Sequence, residues 1–312
     1  MTMWRNWTIM LSQVAQFQAP PASAASAAAL TEIALAVIGI ALLWRARKVV
    51  AQTTLSAAWC WALASWVAVV GASLACQWAG GGPEEGDWCR ALQFAAAMST
   101  VCPAMALAGA KRPQHVAWQW VVLSLWVVLA LPAAQWLLFG AQPSLHTARR
   151  WFLLVLLVPG VINYLPTRHW LAALLFAAGQ AMLLAPYLPG GNLADDDSPL
   201  PAVVLIVAAM AVAQLPGRAR PTEDPLDCLW RRFCNWYGLV WGLRVAERFN
   251  AAAAANNWPV RLTWQGFRSP AGNAPPALSD AERKAIADNL ASWLRRFSQG
   301  TALDASSCYR KA

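Results

Sequence analysis

Seven stretches of almost unbroken apolar residues, at 22–44, 55–78, 91–110, 116–139, 151–165, 170–188 and 200–215, fill most of the first two thirds of the chain. Charged residues fall almost only in the gaps between them. A helix needs about 20 apolar residues to cross the hydrocarbon core of a bilayer. The second, third, fourth and sixth runs meet that length. The fifth and seventh are short and require snorkelling arginines or local thinning of the bilayer, and the first carries Glu32. The expectation is an all-α integral membrane bundle of about seven transmembrane helices, with six as the alternative count.

Composition removes the soluble alternative. Only 12% of the residues are charged and 58% are apolar, which is about half the charge of an ordinary soluble domain. Half of the Lys and Arg and more than half of the Asp and Glu lie after Thr222. The part that remains holds too little charge to cover the surface of a soluble fold. The net charge of +9 belongs with the membrane, because the basic groups stand beside apolar runs and are mixed with acids in the tail; nucleic acid is not indicated. The excess of Arg over Lys and the abundant Ala suggest a GC-rich bacterial genome.

The gaps orient the spans. Arg45, Arg47 and Lys48 follow the first run, Lys111 and Arg112 the third, Arg168 the fifth, and Arg218 and Arg220 the seventh, with no acid among them. The opposite gaps hold Arg90, Arg149 and Arg150 together with Glu84, Glu85, Asp87, Asp195, Asp196 and Asp197. Lys and Arg in short loops favour the cytoplasm, so the expected topology in a cell (inner) membrane is an outside N-terminus and a cytoplasmic C-terminus. Trp44, Trp78, Trp88, Trp118, Trp120, Trp136, Trp151 and Trp170 stand near run ends, as amphipathic rings do at the headgroup level. Residues 1–21 have helical apolar spacing and are expected in the outer interface. A signal peptide is the rival, weakened by Gln13, Gln16 and Gln18.

Within the spans no ionisable residue stands at mid-depth, which disfavours a proton relay. The lysines, Lys48, Lys111, Lys284 and Lys311, exclude a Schiff-base lysine deep in a span. The polar groups at mid-depth are Ser65, Ser99, Thr100, Ser124 and Gln180. They read as bonds between helices, or as a polar pocket for a headgroup or small solute. Pro103, Pro132, Pro159 and Pro186 each fall in one span and are expected to kink it. His115 and His169 share the cytoplasmic edge but lack the partners of a haem or metal site; no cofactor motif is present. Cys76 and Cys89 flank a short outer loop, where an oxidising exterior permits a disulfide. Cys228, Cys234 and Cys308 are expected to be cytosolic and reduced.

After a hinge at 216–225 the character changes. Residues 226–250 read as an amphipathic helix. Trp230, Phe233 and Trp241 lie on its apolar face and Arg231 and Arg232 opposite, a pattern that suits the inner leaflet or a protein partner, together with packing of the Trp face on the second helix of the tail. Gly238 and Gly242 stand four apart, a weak sign of close helix packing. Residues 258–267 alternate as a short strand without an obvious partner. Ser279 and Glu282 form a capping box for a helix whose face is Ile286, Leu290, Trp293, Leu294 and Phe297. Residues 226–300 thus make a small cytosolic domain, mostly helical, with 301–312 as a tail. The segment lacks a phosphate-binding glycine loop and any protease or metal motif. The chain therefore reads as a non-enzymatic sensor, scaffold or assembly module in the lipid bilayer whose cytosolic tail contacts the inner leaflet or a cytosolic or membrane protein partner. A transporter or lipid-handling protein working through the kinked helices is the alternative, and a membrane-embedded enzyme comes third.

Overall fold

In a computed structural model, the structure describes residues 22–79, 83–139, 147–191, 198–216, 224–270, 272, 274–276 and 278–298. The expectations for residues 1–21, for the acidic outer loops and for 301–312 lie outside these residues or their described side chains. The chain is mostly helical. Five helical segments are long and apolar enough to cross a membrane: Ala29–Val50, Ser56–Trp78, Trp88–Ala108, Gln114–Phe139 and Trp170–Tyr187.

The first of these lies in α1 (Ala22–Val50) and the second in α2 (Ser56–Ala79). The third is built from α3 (Pro83–Ser99) and the short α4 (Cys102–Ala108), separated by a break at Thr100 and Val101. Then come α5 (Gln114–Phe139), α6 (Thr147–Tyr164), α7 (Trp170–Leu184) closed by a 3-10 turn (Ala185–Tyr187), and α8 (Leu200–Ala213). The apolar α8 has only 14 residues, and α6 begins with Arg149 and Arg150, so these two match the short fifth and seventh runs of the sequence. The two larger packed cores of the bundle join different sets of helices. One joins α3, α5, α6 and α7 around Phe94, Leu129 and Leu153. The other joins α1, α2, α3 and α8 around Trp66, Val70 and Val203.

The four prolines act differently from one another. Pro132 and Pro159 lie inside continuous helices, and Pro186 sits in the 3-10 turn. Pro103 accompanies the one interruption within a span among the described residues. Its missing N–H would have bonded the carbonyl of Ser99, four residues earlier.

The C-terminal unit is α9 (Pro225–Ala255), a two-stranded hairpin of β1 (Arg261–Thr263) and β2 (Gly266–Arg268), and α10 (Asp280–Leu294). The lone strand expected from alternation is a hairpin. Arg261 pairs with Arg268 and Thr263 with Gly266 across a two-residue turn, and the second strand was too short to read by pattern. Asp227 of α9 holds it, accepting from the Phe267 N–H at 2.7 Å and pairing with Arg268 at 3.4 Å. The Ser279–Glu282 capping box forms in full. Phe233 and Tyr237 stack in the centre and Phe297 meets both rings edge-on, enclosed by Leu229, Phe249, Ile286 and Leu290.

Candidate functional site

The mid-depth polar residues divide sharply. Ser65 of α2 donates to the Ser99 carbonyl at 2.6 Å, the acceptor that Pro103 leaves open. Gln180 of α7 donates to the Thr100 carbonyl at 2.7 Å. Ser99 and Thr100 turn their own hydroxyls back to Ala96 and Ala97. All four are buried and serve to satisfy a broken helix inside an apolar medium, where an unpaired carbonyl is costly. Ser124 is exposed on the far side and bonds only the Val121 carbonyl of its own helix. The five residues therefore do not converge on one pocket. Indole N–H groups add further ties the sequence did not reveal: Trp59 to Leu43 at 2.7 Å and Trp66 to Ala36 at 3.2 Å. Both join α2 to α1.

Glu32 is buried in α1, and its two carboxylate oxygens accept from Ser73 and Gln77 of α2. It lies four residues into its span, near the end remote from the C-terminal unit. Cys76 and Cys89 are side-chain neighbours, and of the two states the sequence left open, bonded or free, the structure shows free thiols. Cys234 is free and buried. Cys228 is disulfide-bonded, which corrects its expected reduced state. No group of three or more His, Cys, Asp or Glu able to hold a metal occurs among the described residues.

The aromatic face of α9 does not meet lipid. Trp230, Phe233 and Trp241 are buried in the core of the C-terminal unit, which is the packing within the tail that the sequence left open beside leaflet contact. The described residues of the C-terminal unit pack on their own bundle, where α9 finds apolar partners in α10, the hairpin and the bundle's loops. Arg231 and Arg232 are half-buried. Arg232 lies over the Trp236 ring at 4.7 Å.

Three loops of the bundle receive this unit. From the loop between α1 and α2, the Thr54 hydroxyl donates to the Ala110 carbonyl at 2.6 Å and stands 3.2 Å from the Tyr237 hydroxyl. Tyr237 donates to the Phe297 carbonyl at 2.7 Å. Thr53 and Ser298 form a backbone bridge. From the loop between α4 and α5, the Arg112 N–H donates to the Arg296 carbonyl at 3.0 Å, and Trp241 donates to the Leu107 carbonyl at 2.9 Å. The loop between α6 and α7 contributes Arg168, whose N–H donates to Asn235 at 3.1 Å, and Pro166, whose carbonyl accepts from Trp264 at 3.2 Å.

The tightest of these joints is at Gly238. It interrupts the helical backbone of α9 with φ +75° and ψ −169°, a conformation that suits glycine. Asn163 at the end of α6 enters the gap. Its side-chain oxygen accepts from the Val240 N–H at 2.9 Å and its amide donates to the Tyr237 carbonyl at 3.4 Å. A Cβ on residue 238 would overlap that amide. Gly242, one turn on, lies against Trp264, which a Cβ would approach to 2.8 Å. The glycine pair is a close-packing row, turned toward Asn163 and the hairpin.

Beside this junction lies a cavity of about 280 Å³, bounded by Lys111 from the bundle, by Arg244, Glu247 and Arg248 of α9, and by Trp293 and Arg296 at the end of α10. The guanidinium groups rest on indole rings. Arg244 lies 5.0 Å from Trp241; Arg248 and Arg296 lie 5.7 and 5.0 Å from Trp293. Burial, together with Arg248, Arg296 and Arg244, lowers the Lys111 ammonium below its ordinary value. The sequence pattern presents Lys111 only as an orienting charge. The missed signal is the spacing of Arg244 and Arg248, which puts both on one helix face.

His169 sits at the docking face, where burial and the neighbouring Arg168 lower it to about 4. Arg168 donates to its Nε2 at 3.0 Å, so the ring is neutral. His115 and His169 have no third ligand in reach among the described residues. No known protein family, characterised protein or solved structure matches the chain.

Proposed function

We propose that the chain is a seven-span membrane module without catalytic activity, a sensor or scaffold whose C-terminal unit is docked on its own bundle. One observation carries the reading: the three loops that touch the unit are those after α1, α4 and α6. For all three to reach one face, two crossings must separate each from the next, so α6 counts as a span despite Arg149 and Arg150. The Gln214 amide, at the end of α8, donates to Leu42 of α1 at 2.9 Å, which supports a crossing by α8 as well. The receiving face bears Lys48, Lys111, Arg112 and Arg168, which favours the cytoplasm of a bacterial inner membrane. A unit that clasps three loops is suited to pass a change in the bundle to a partner, or the reverse. The transporter alternative is weakened, because the polar groups it required are bonded to helix backbone or face outward.

The Cys228 disulfide favours the opposite orientation, since such bonds persist in oxidising compartments. An impermeant maleimide applied to intact cells carrying Arg295→Cys, in a chain whose outer thiols are removed by Cys76→Ser and Cys89→Ser, decides. Protection there, with labelling in inverted vesicles, supports a cytoplasmic unit; labelling of intact cells reverses the topology. The sensor or scaffold role is tested by removing the chain from residue 226 onward. Loss of co-purifying membrane or cytosolic proteins is the expected result, and an unchanged set of them sinks the role.

A further inference from the structure

Four cations and a single carboxylate line one open cavity, with Arg244, Glu247, Arg248 and Arg296 reaching solvent and Lys111 half-buried. Arg244 and Arg248 of α9 and Arg296 at the end of α10 belong to the C-terminal unit and Lys111 arrives from the bundle, so the cluster is complete only when the unit is docked. The ion pairs Arg268–Asp227 and Arg283–Asp224 lie elsewhere in the unit. Indole rings, rather than carboxylates, hold the three guanidinium groups. Stacking fixes a guanidinium plane while leaving its edge N–H groups able to donate. Glu247 offsets one charge and leaves the cavity strongly positive.

A compensating anion must bring more than one negative charge and several acceptor oxygens, which a lone carboxylate does not. Phosphate does both, and planar guanidinium forks match its geometry. The cavity also accommodates more than a bare ion, and the Trp241 and Trp293 rings give it an apolar floor. Its location adds a further argument: Lys111 stands three residues beyond the end of the span Trp88–Ala108, at the depth where lipid phosphates lie.

We propose that this cavity binds the phosphate group of an anionic ligand, thereby joining the bundle to the C-terminal unit. The inference rests on the docked reading above and adds the ligand class to it. Two sources carry the same chemistry, an anionic phospholipid headgroup and a soluble phosphate.

The test uses the full chain. In uncharged detergent it is titrated with inorganic pyrophosphate against chloride of matched ionic strength. In nanodiscs, phosphatidylglycerol is compared with phosphatidylcholine. The thermal midpoint and the phosphorus retained per protein are read in each case. Stabilisation by pyrophosphate assigns a soluble phosphate, and stabilisation by phosphatidylglycerol alone assigns a headgroup. Arg248→Gln with Arg296→Gln is expected to weaken retention by about tenfold or more, the scale of a lost charge-assisted contact. Arg261→Gln, outside this cavity, is expected to leave it unchanged. Lys111→Gln, on the bundle side, provides a second variant if the pair fails to fold. No response to either probe, or retention by the variants equal to the parent's, overturns the proposal. If binding fails while the unit stays docked, only the ligand assignment falls. If the unit is not docked, the cavity does not form and both readings fall.

Discussion

In the bundle, Trp120, Leu138 and Phe139 stand 73%, 75% and 76% exposed on the outside of α5. In the C-terminal unit, Phe233, Tyr237 and Phe249 are wholly enclosed, at 0%. The same residue types face opposite ways within one chain because the surroundings differ. Water drives aromatic surface inward, whereas lipid is as apolar as the side chains and supplies no such drive. Helices in the bundle are therefore joined by close packing and by polar ties to exposed carbonyls, such as Ser65 to Ser99 and Gln180 to Thr100. The unit is joined by burial, with polar ties reserved for the face where it meets the loops.

This contrast ranks the effects of substitution. The largest is expected from Phe233→Ala, which empties the centre of the unit; about 3–5 kcal/mol is the usual cost of such a cavity. Thermal unfolding in detergent should show the loss in the unit, with the bundle's helical signal retained. A simultaneous collapse of both would break the comparison. Next is Asn163→Ala, which leaves the Val240 N–H and Tyr237 carbonyl without partners, at about 1–3 kcal/mol for each buried group so stranded. Its readout is undocking, seen as protease cleavage ahead of α9 at temperatures that leave the parent intact. Equal resistance in parent and variant would remove Asn163 from the joint.

Smaller still is Ser65→Ala, expected to cost about 0.5–1.5 kcal/mol, in the range measured for bonds between membrane helices. Ser124→Ala is expected to cost nothing measurable, since Ser124 faces outward. A larger loss at Ser124 than at Ser65 would return the pocket reading to consideration. The smallest effect near neutral pH is at His169. Its folded value, lowered to about 4 by burial and by Arg168, lies below the ordinary histidine value of about 6.5. The unfolded chain therefore takes up a proton that the folded chain refuses. The stability His169 contributes is complete above about pH 6.5 and declines as pH falls from there toward about 4. His169→Gln should flatten that decline in a pH series of thermal midpoints, and an identical slope in the variant would remove the ring from the account.

Much of this was legible in the sequence. Apolar runs and the cations between them located the helices of the bundle, and the capping box placed the start of α10. The glycine pair was visible but its partners were not, because Asn163 lies 75 residues before Gly238 and no local pattern links a span's end to a distant kink. The Trp230, Phe233 and Trp241 face was read correctly as apolar, yet helical spacing alone does not say whether lipid or protein covers it. Cavity residues from three separate stretches were invisible for the same reason. Pro103 is the better clue: a proline fixes which carbonyl loses its donor, so it marks the Ser99 carbonyl as open to a side chain.

The central claim, that the C-terminal unit sits on the loop face of its own bundle, is tested most directly at the bridge between Thr53 and Ser298. Paired strand residues stand about 4.5–5.5 Å apart at Cα, within disulfide reach. A chain carrying Thr53→Cys and Ser298→Cys, with a specific protease site inserted after Leu215, is oxidised in isolated membranes and then cut. The account predicts that bundle and unit remain joined until reductant is added, and that either single variant falls apart without it. Separation of the double variant under oxidising conditions would contradict it.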